Sequence, residues 1–107
     1  MGSVVFWDVD TQVDFIEPGA ALYIPGAETI VGNLEKLTDF ARENGIRIVA
    51  SVDWHERTDA ELSDAPDFRK TFPPHCLRGT RGQEKIAATA AINPLWIDSE
   101  PRDPAAL

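Results

Sequence analysis

Four short clusters hold most of the residues that could do chemistry in this 107-residue chain. Asp8-Val9-Asp10-Thr11-Gln12-Val13-Asp14-Phe15 follows directly on an apolar run and places carboxylates at its end. Asp53-Trp54-His55 ends a second such run; residues two apart on extended backbone point the same way, so Asp53 and His55 can converge on one cation. In Phe72-Pro73-Pro74-His75-Cys76 two prolines restrict the backbone ahead of His75, which favours a fixed imidazole. Gly79-Thr80-Arg81-Gly82 forms a turn after it. Two imidazoles and one carboxylate suit a divalent transition metal, with water or substrate in the open positions. The chain has only two histidines, and both lie in these clusters. Singly, each residue has a plainer reading. Asp8 is a structural or solvated acid, Asp10 an acceptor for loop amides, and Asp53 with His55 a hydrogen-bonded pair. His75 is a buried or capping histidine, and Cys76 a small buried hydrophobe. Asp59, Glu61, Asp64 and Asp67 read as a solvated loop face. Trp7, Trp54 and Trp96 read as packing residues, with Trp54 near enough to line a site.

The elements that must position these residues form a βαβ pattern. Val4-Val5-Phe6-Trp7 and Ile46-Arg47-Ile48-Val49-Ala50-Ser51-Val52 read as buried strands of a parallel sheet. Between them Ile30, Leu34, Leu37 and Ala41 recur at helical spacing, with Pro25-Gly26 at the start and Asn44-Gly45 at the stop. The first and second clusters therefore fall at the carboxyl ends of neighbouring strands, where open α/β sheets bind ligands. Residues 54–80 read as a long functional loop. The spacing of Thr80-Arg81-Gly82-Gln83 predicts a short helix from Arg81 to about Ala90. Residues 92–98 read as a third strand with Pro94 near its start. Asp103-Pro104 predicts a helix start at the C-terminus. Three strands present two apolar faces, and one long and one short helix do not cover both. The chain thus reads as part of a larger fold, completed by a C-terminal portion, a second chain or a symmetric partner.

Composition narrows the classes. A net charge of -8 repels phosphate backbones and anionic membrane. No apolar run approaches the roughly 18 residues of a membrane span. Met1-Gly2-Ser3 opens neither a signal peptide nor a myristoylation motif. A single cysteine fits a reducing compartment, so the expectation is a cytoplasmic protein with no nucleic-acid or membrane partner.

Together the motifs resemble the isochorismatase-like cysteine hydrolase family, which includes nicotinamidases. The resemblance is carried by Asp10-Thr11-Gln12-Val13-Asp14-Phe15, Ala21-Leu22-Tyr23-Ile24-Pro25-Gly26-Ala27, Asp53-Trp54-His55 and Phe72-Pro73-Pro74-His75-Cys76 with Gly79, Thr80 and Gly82. It implies a three-layer, Rossmann-like parallel sheet. Residues 1–107 would be the N-terminal portion of one hydrolase domain, ending after about three strands. It also implies hydrolysis of a small amide, nicotinamide to nicotinate first among them. Asp10 would be the catalytic acid–base group. Asp53, His55 and His75 would bind zinc, iron or manganese, with Glu61 where some members have a further histidine. Phe15, with Trp54, would line the substrate pocket. The family's catalytic lysine and nucleophilic cysteine would lie beyond Leu107, and Cys76 matches no nucleophile. Partners implied are a small amide and either a homo-oligomer or a complementary C-terminal half. Two other readings compete. One is an inactive half-domain or subunit that needs a partner chain. The other is a phosphoaspartate-type phosphatase, suggested by Asp8-Val9-Asp10 but lacking threonine at position 12.

Overall fold

A computed structural model of the chain describes residues 3–98 together with Asp103 and Ala105. The first β-branched and aromatic run forms β1, Val5–Val9, and the second forms β2, Arg47–Ser51. They pair in parallel, Val5 opposite Arg47 and Val9 opposite Ser51. Between them run a one-turn helix α1 (Val13–Ile16), a 3₁₀ turn (Ala27–Ile30) and the long helix α2 (Val31–Glu43). This is the expected βαβ unit of an α/β protein.

The stop of α2 forms where Asn44-Gly45 predicts it. Gly45 is left-handed at φ 64°. Its N–H donates to the Arg42 carbonyl at 3.5 Å, and the Ile46 N–H to the Ala41 carbonyl at 2.8 Å. Those paired bonds close the helix and turn the chain into β2. The buried stripe of α2 differs from the expected one. Ala41 and Thr38 are buried, and Val31 and Leu34 pack against the core, while Ile30 and Leu37 are exposed. Contact of Val31 and Leu34 with α1, and stacking of Phe40 on Phe6 of β1 (ring centroids 6.5 Å), set this rotation.

Two expected elements do not form. The helix from Arg81 ends after a 3₁₀ turn, Arg81–Gln83. Beyond it the backbone is claimed by the segment after β1: Val13 N–H donates to Glu84 O (2.9 Å) and Ile86 N–H to Thr11 O (3.0 Å). The third strand is absent among the described residues. Asn93 is left-handed (φ 52°) and Pro94 has no N–H, so the run cannot join a ladder. The C-terminal helix lies outside the described residues, except that Ala105 N–H donates to Asp103 Oδ1 at 3.0 Å. No helix among the described residues is long and apolar enough to cross a membrane.

The core gathers around α1, just past the end of β1. Val13, Ile16 and Ile86 are buried, with Phe15, Ala27, Val31, Leu34 and Ala88 packed on them. The sheet itself is covered unevenly. Phe6 meets α2, whereas Val5, Trp7, Val9 and Val49, on the other face, are exposed.

One side chain joins the strand ends. Gln12 is fully buried. Its Oε1 accepts the Asp53 N–H at 2.7 Å, and its Nε2 donates to the carbonyls of Asp53 (2.8 Å) and Gln83 (2.7 Å). The primary amide thus extends the ladder one step past β2. Gln12→Leu leaves these groups without their partner, at about 1–3 kcal/mol each. The expected result is a fall of roughly 3 kcal/mol or more in the urea-unfolding free energy. A loss under about 1 kcal/mol would show that the clamp is dispensable.

Candidate metal centre and its surroundings

Asp53 leaves β2 with its carboxylate between two imidazoles. Its Oδ1 lies 2.9 Å from His55 Nε2 and its Oδ2 3.1 Å from His75 Nε2. One potential donor atom from each residue falls within 4.8 Å of the others. Both histidine side chains are about 5% exposed or less, and the rings meet edge-on at 4.7 Å. The long loop returns to build this group: His55 N–H donates to Cys76 O (3.0 Å) and Arg78 N–H to His55 O (2.9 Å).

Hydrogen bonding assigns the ring protons. His75 Nδ1 lies 2.7 Å from the Pro73 carbonyl, which can only accept. His75 therefore carries a proton on Nδ1, and in the neutral ring Nε2 is the bare nitrogen facing Asp53 Oδ2 at 3.1 Å. His55 Nδ1 faces carboxylates, Asp59 Oδ2 at 3.0 Å and Glu61 Oε1 at 3.1 Å. Neutral imidazoles in this arrangement direct two nitrogen lone pairs at one carboxylate. Three acceptors then converge on one point, which is repulsive unless a cation lies among them. A proton on an inward nitrogen relieves the same repulsion. Burial lowers the His55 pKa, but the bond from Asp59 and the charges of Asp53 and Glu61 outweigh it, and the net shift is upward. The same nitrogen and oxygen donors suit a borderline divalent ion.

Asp10 sits beyond the end of β1, left-handed at φ 56°, with its N–H donated to Ser51 O at 3.1 Å. Partial desolvation, then the charges of Asp53 and Asp8, raise its pKa, with Lys85 opposing them. Asp10 and Phe15 line one open cavity of about 470 Å³ with Ile24, Ala27 and Ile30. A larger groove of about 820 Å³, between β2 and residues 92–96, includes none of Asp10, Asp53, His55 and His75. Phe15 also flanks His75 (centroids 5.6 Å), while Trp54 pairs edge-on with Trp96 at 6.1 Å. Glu61 is half exposed and meets the outer nitrogen of His55.

Phe72 and Lys85 had no role assigned from sequence, while Asp8 as a structural acid and Cys76 as a buried hydrophobe stand as expected. Phe72 lies edge-on to His75 at 6.4 Å, and its place at the head of the Pro-Pro-His motif was the available signal. Asp8 is held by Lys85 Nζ at 3.0 Å and Thr11 Oγ1 at 2.7 Å, an ion pair mostly shielded from water. Asp14 Oδ2 accepts the N–H of Cys76 at 2.8 Å and so fixes the left-handed backbone (φ 49°) just after His75. The Cys76 thiol is fully buried, and desolvation with the charges of Asp53, Asp14 and Asp10 pushes its pKa up to about 12. Such a thiol is not a nucleophile at neutral pH.

Comparison with known proteins accords with this geometry. The family model described as Isochorismatase domain matches residues 5–91. The chain is 32% identical over 80 residues to a protein of Arabidopsis thaliana named a probable inactive nicotinamidase, covering 73% of this chain and 41% of that one. It is 33% identical over 76 residues to the nicotinamidase/pyrazinamidase of Mycobacterium tuberculosis, covering 71% and 40%. The structure of Pyrococcus horikoshii pyrazinamidase in complex with zinc superposes with a TM-score of 0.66 at 31% identity, covering 77% of this chain and 44% of that one. The chain thus spans less than half the length of these relatives.

Gly82 tests the support behind His75. A Cβ built there would collide with the Asp14 carboxylate, so the group that holds Cys76 would have to move. Gly82→Ala is expected to cost about 1–2 kcal/mol through that lost bond, read as a lower melting temperature. An unchanged melting temperature would show that Asp14 yields freely.

Proposed function

The chain belongs to the isochorismatase domain family, and from that premise we propose that it supplies the acid and the metal ligands of a small-amide hydrolase of the nicotinamidase kind. The observation that carries this reading is the convergence of the Asp53 carboxylate with His55 Nε2 and His75 Nε2. In it Asp53, His55 and His75 hold zinc, iron or manganese. A bound divalent ion supplies Lewis acidity and fixes the polar end of a substrate. Asp10, raised in pKa and lining the same cavity as Phe15, is the more readily protonated for its partial burial and for the charges of Asp53 and Asp8, which suits it to accept a proton. Phe15 gives that cavity an aromatic wall, and Trp54 borders the ligand set in sequence. Nicotinamide, yielding nicotinate and ammonia, is the best substrate on the likeness to named nicotinamidases.

The reaction needs a thiol that Cys76 does not provide, because it is buried and bound in the loop. Residues 1–107 act here as the N-terminal portion of one hydrolase domain, completed by a C-terminal half or by association of copies. That half brings a cysteine and a lysine. The cysteine gives its proton to Asp10 and its sulfur attacks the amide carbonyl; the C–N bond breaks as Asp10 returns that proton to the nitrogen and ammonia leaves, and water then cleaves the thioester to the acid and the free thiol. A reducing, cytoplasmic setting fits a lone cysteine. A second reading, an inactive subunit, is favoured by the buried thiol and by the relative named probable inactive.

Two measurements separate these readings. Metal analysis of the purified chain is expected to find close to one divalent ion per chain, with His55→Ala and His75→Ala each lowering occupancy and Cys76→Ala leaving it unchanged. Equal occupancy in all four proteins would remove the metal centre. Mixed with the C-terminal half of a nicotinamidase, the chain should release ammonia from nicotinamide, with Asp10→Ala slowing turnover by about 10²-fold or more. Metal uptake without ammonia release would favour the inactive subunit.

A further inference from the structure

Asp59 and Glu61 stay partly exposed on the acidic loop face, yet each turns its carboxylate to a buried ring. Both carboxylates meet one atom, His55 Nδ1, at 3.0 and 3.1 Å. They are not equivalent. The Asp59 oxygen that faces the ring also accepts the Glu56 N–H at 3.0 Å, and the Asp59 N–H donates back to the Glu56 carbonyl at 3.0 Å. The Asp59 carboxylate is thus fixed by a local turn, independently of the ring. Its side chain is 38% exposed, against 50% for Glu61.

A histidine can turn a bare Nε2 to a cation only when its proton resides on Nδ1. For His75 the Pro73 carbonyl enforces that state. His55 has no such carbonyl at Nδ1 among the described bonds; it has these carboxylates. We propose that Asp59 is the positioning residue of His55, holding its proton on Nδ1 and its ring in the plane that presents Nε2 to a divalent cation, with Glu61 an auxiliary acceptor and not a ligand. The two nitrogens of an imidazole point in divergent directions. A carboxylate bonded to Nδ1 is therefore held away from the side of the ring that Asp53 and His75 share. Carboxylate–imidazole–metal relays of this kind change metal affinity by about 10- to 100-fold when the outer carboxylate is removed.

The inference rests on the metal reading above and deepens it, so the test carries one arm that needs no metal. In a metal-free Asp53→Ala background, which removes the competing acceptor 2.9 Å from His55 Nε2, at a pH where both histidines are neutral, long-range proton–nitrogen correlation NMR should show His55 protonated on Nδ1. In that background Asp59→Ala should mix its tautomers, while Asp59→Asn, whose amide oxygen still accepts, should keep Nδ1–H. With Asp53 retained, zinc titration against a chromophoric chelator should show affinity about tenfold or more weaker in Asp59→Ala, largely recovered in Asp59→Asn, and within about threefold of wild type in Glu61→Ala. Should the alanine variant fail to fold, Asp59→Ser takes its place, since its hydroxyl can still cap Glu56 but does not reach the ring. Unchanged tautomer and zinc affinity in Asp59→Ala would overturn the proposal. So would a larger zinc loss in Glu61→Ala than in Asp59→Ala, which would make Glu61 a ligand. If wild type takes up no zinc yet Asp59→Ala still mixes the tautomers, the positioning role stands and the metal reading falls.

Discussion

A buried primary amide is the constraint on which the site depends. Gln12 meets both backbone groups of Asp53 and the carbonyl of Gln83 with no exposure to water. An amide hidden from water is costly unless its polar atoms are bonded, so Gln12 tolerates little change in the relative positions of its partners. It thereby ties three separate stretches together: the turn after β1, the end of β2 and the 3₁₀ turn at Arg81–Gln83. The Asp53 carboxylate is aimed from a backbone held on both sides. The imidazoles then close on it from a loop that contributes almost no regular structure.

Charge is the second constraint. Eighteen acidic side chains are set against ten basic ones, and several acids meet near the strand ends. Lys85 answers part of that charge by pairing with Asp8 and donating to the Ser51 carbonyl at 2.8 Å, the same oxygen that takes the Asp10 N–H. Asp53 has no lysine or arginine among its ion-pair partners in the described residues; its partners are the two histidines. The site therefore combines one neutralised acid with one whose charge is left for a proton or an ion. The backbone shows the same concentration of demand. Asp10 and Cys76 are both left-handed without being glycine. Conformations of that kind cost on the order of 1 kcal/mol and persist where neighbours enforce them. Here the Ser51 carbonyl and the Asp14 carboxylate do so.

Much of the fold was legible from residue pattern. The two β-branched runs, the helix between them and its Asn-Gly stop are local signals, and each formed near its expected bounds. The failures share a cause. Helical spacing shows that α2 is amphipathic but leaves its rotation open. Stripes at 30, 34, 37, 41 and at 31, 34, 38, 41 are both helical, and contacts with α1 and Phe6 chose between them. The capping spacing at Thr80 is a local preference, and the amides after β1 overrode it by pairing with residues 84–86. Asp59 reads as one acid among four because nothing in its neighbours reveals that a turn aims it at His55.

By itself the sequence determined the chemical identities of the donors and their order along a βαβ unit. Side-chain type, apolar period and proline or glycine punctuation act over a few residues. Tertiary structure alone decided which nitrogen of each histidine faces Asp53, and that Asp59 lies behind His55. Those outcomes depend on contacts between residues distant in the chain, where burial and competing hydrogen bonds, not local preference, set the lowest free energy.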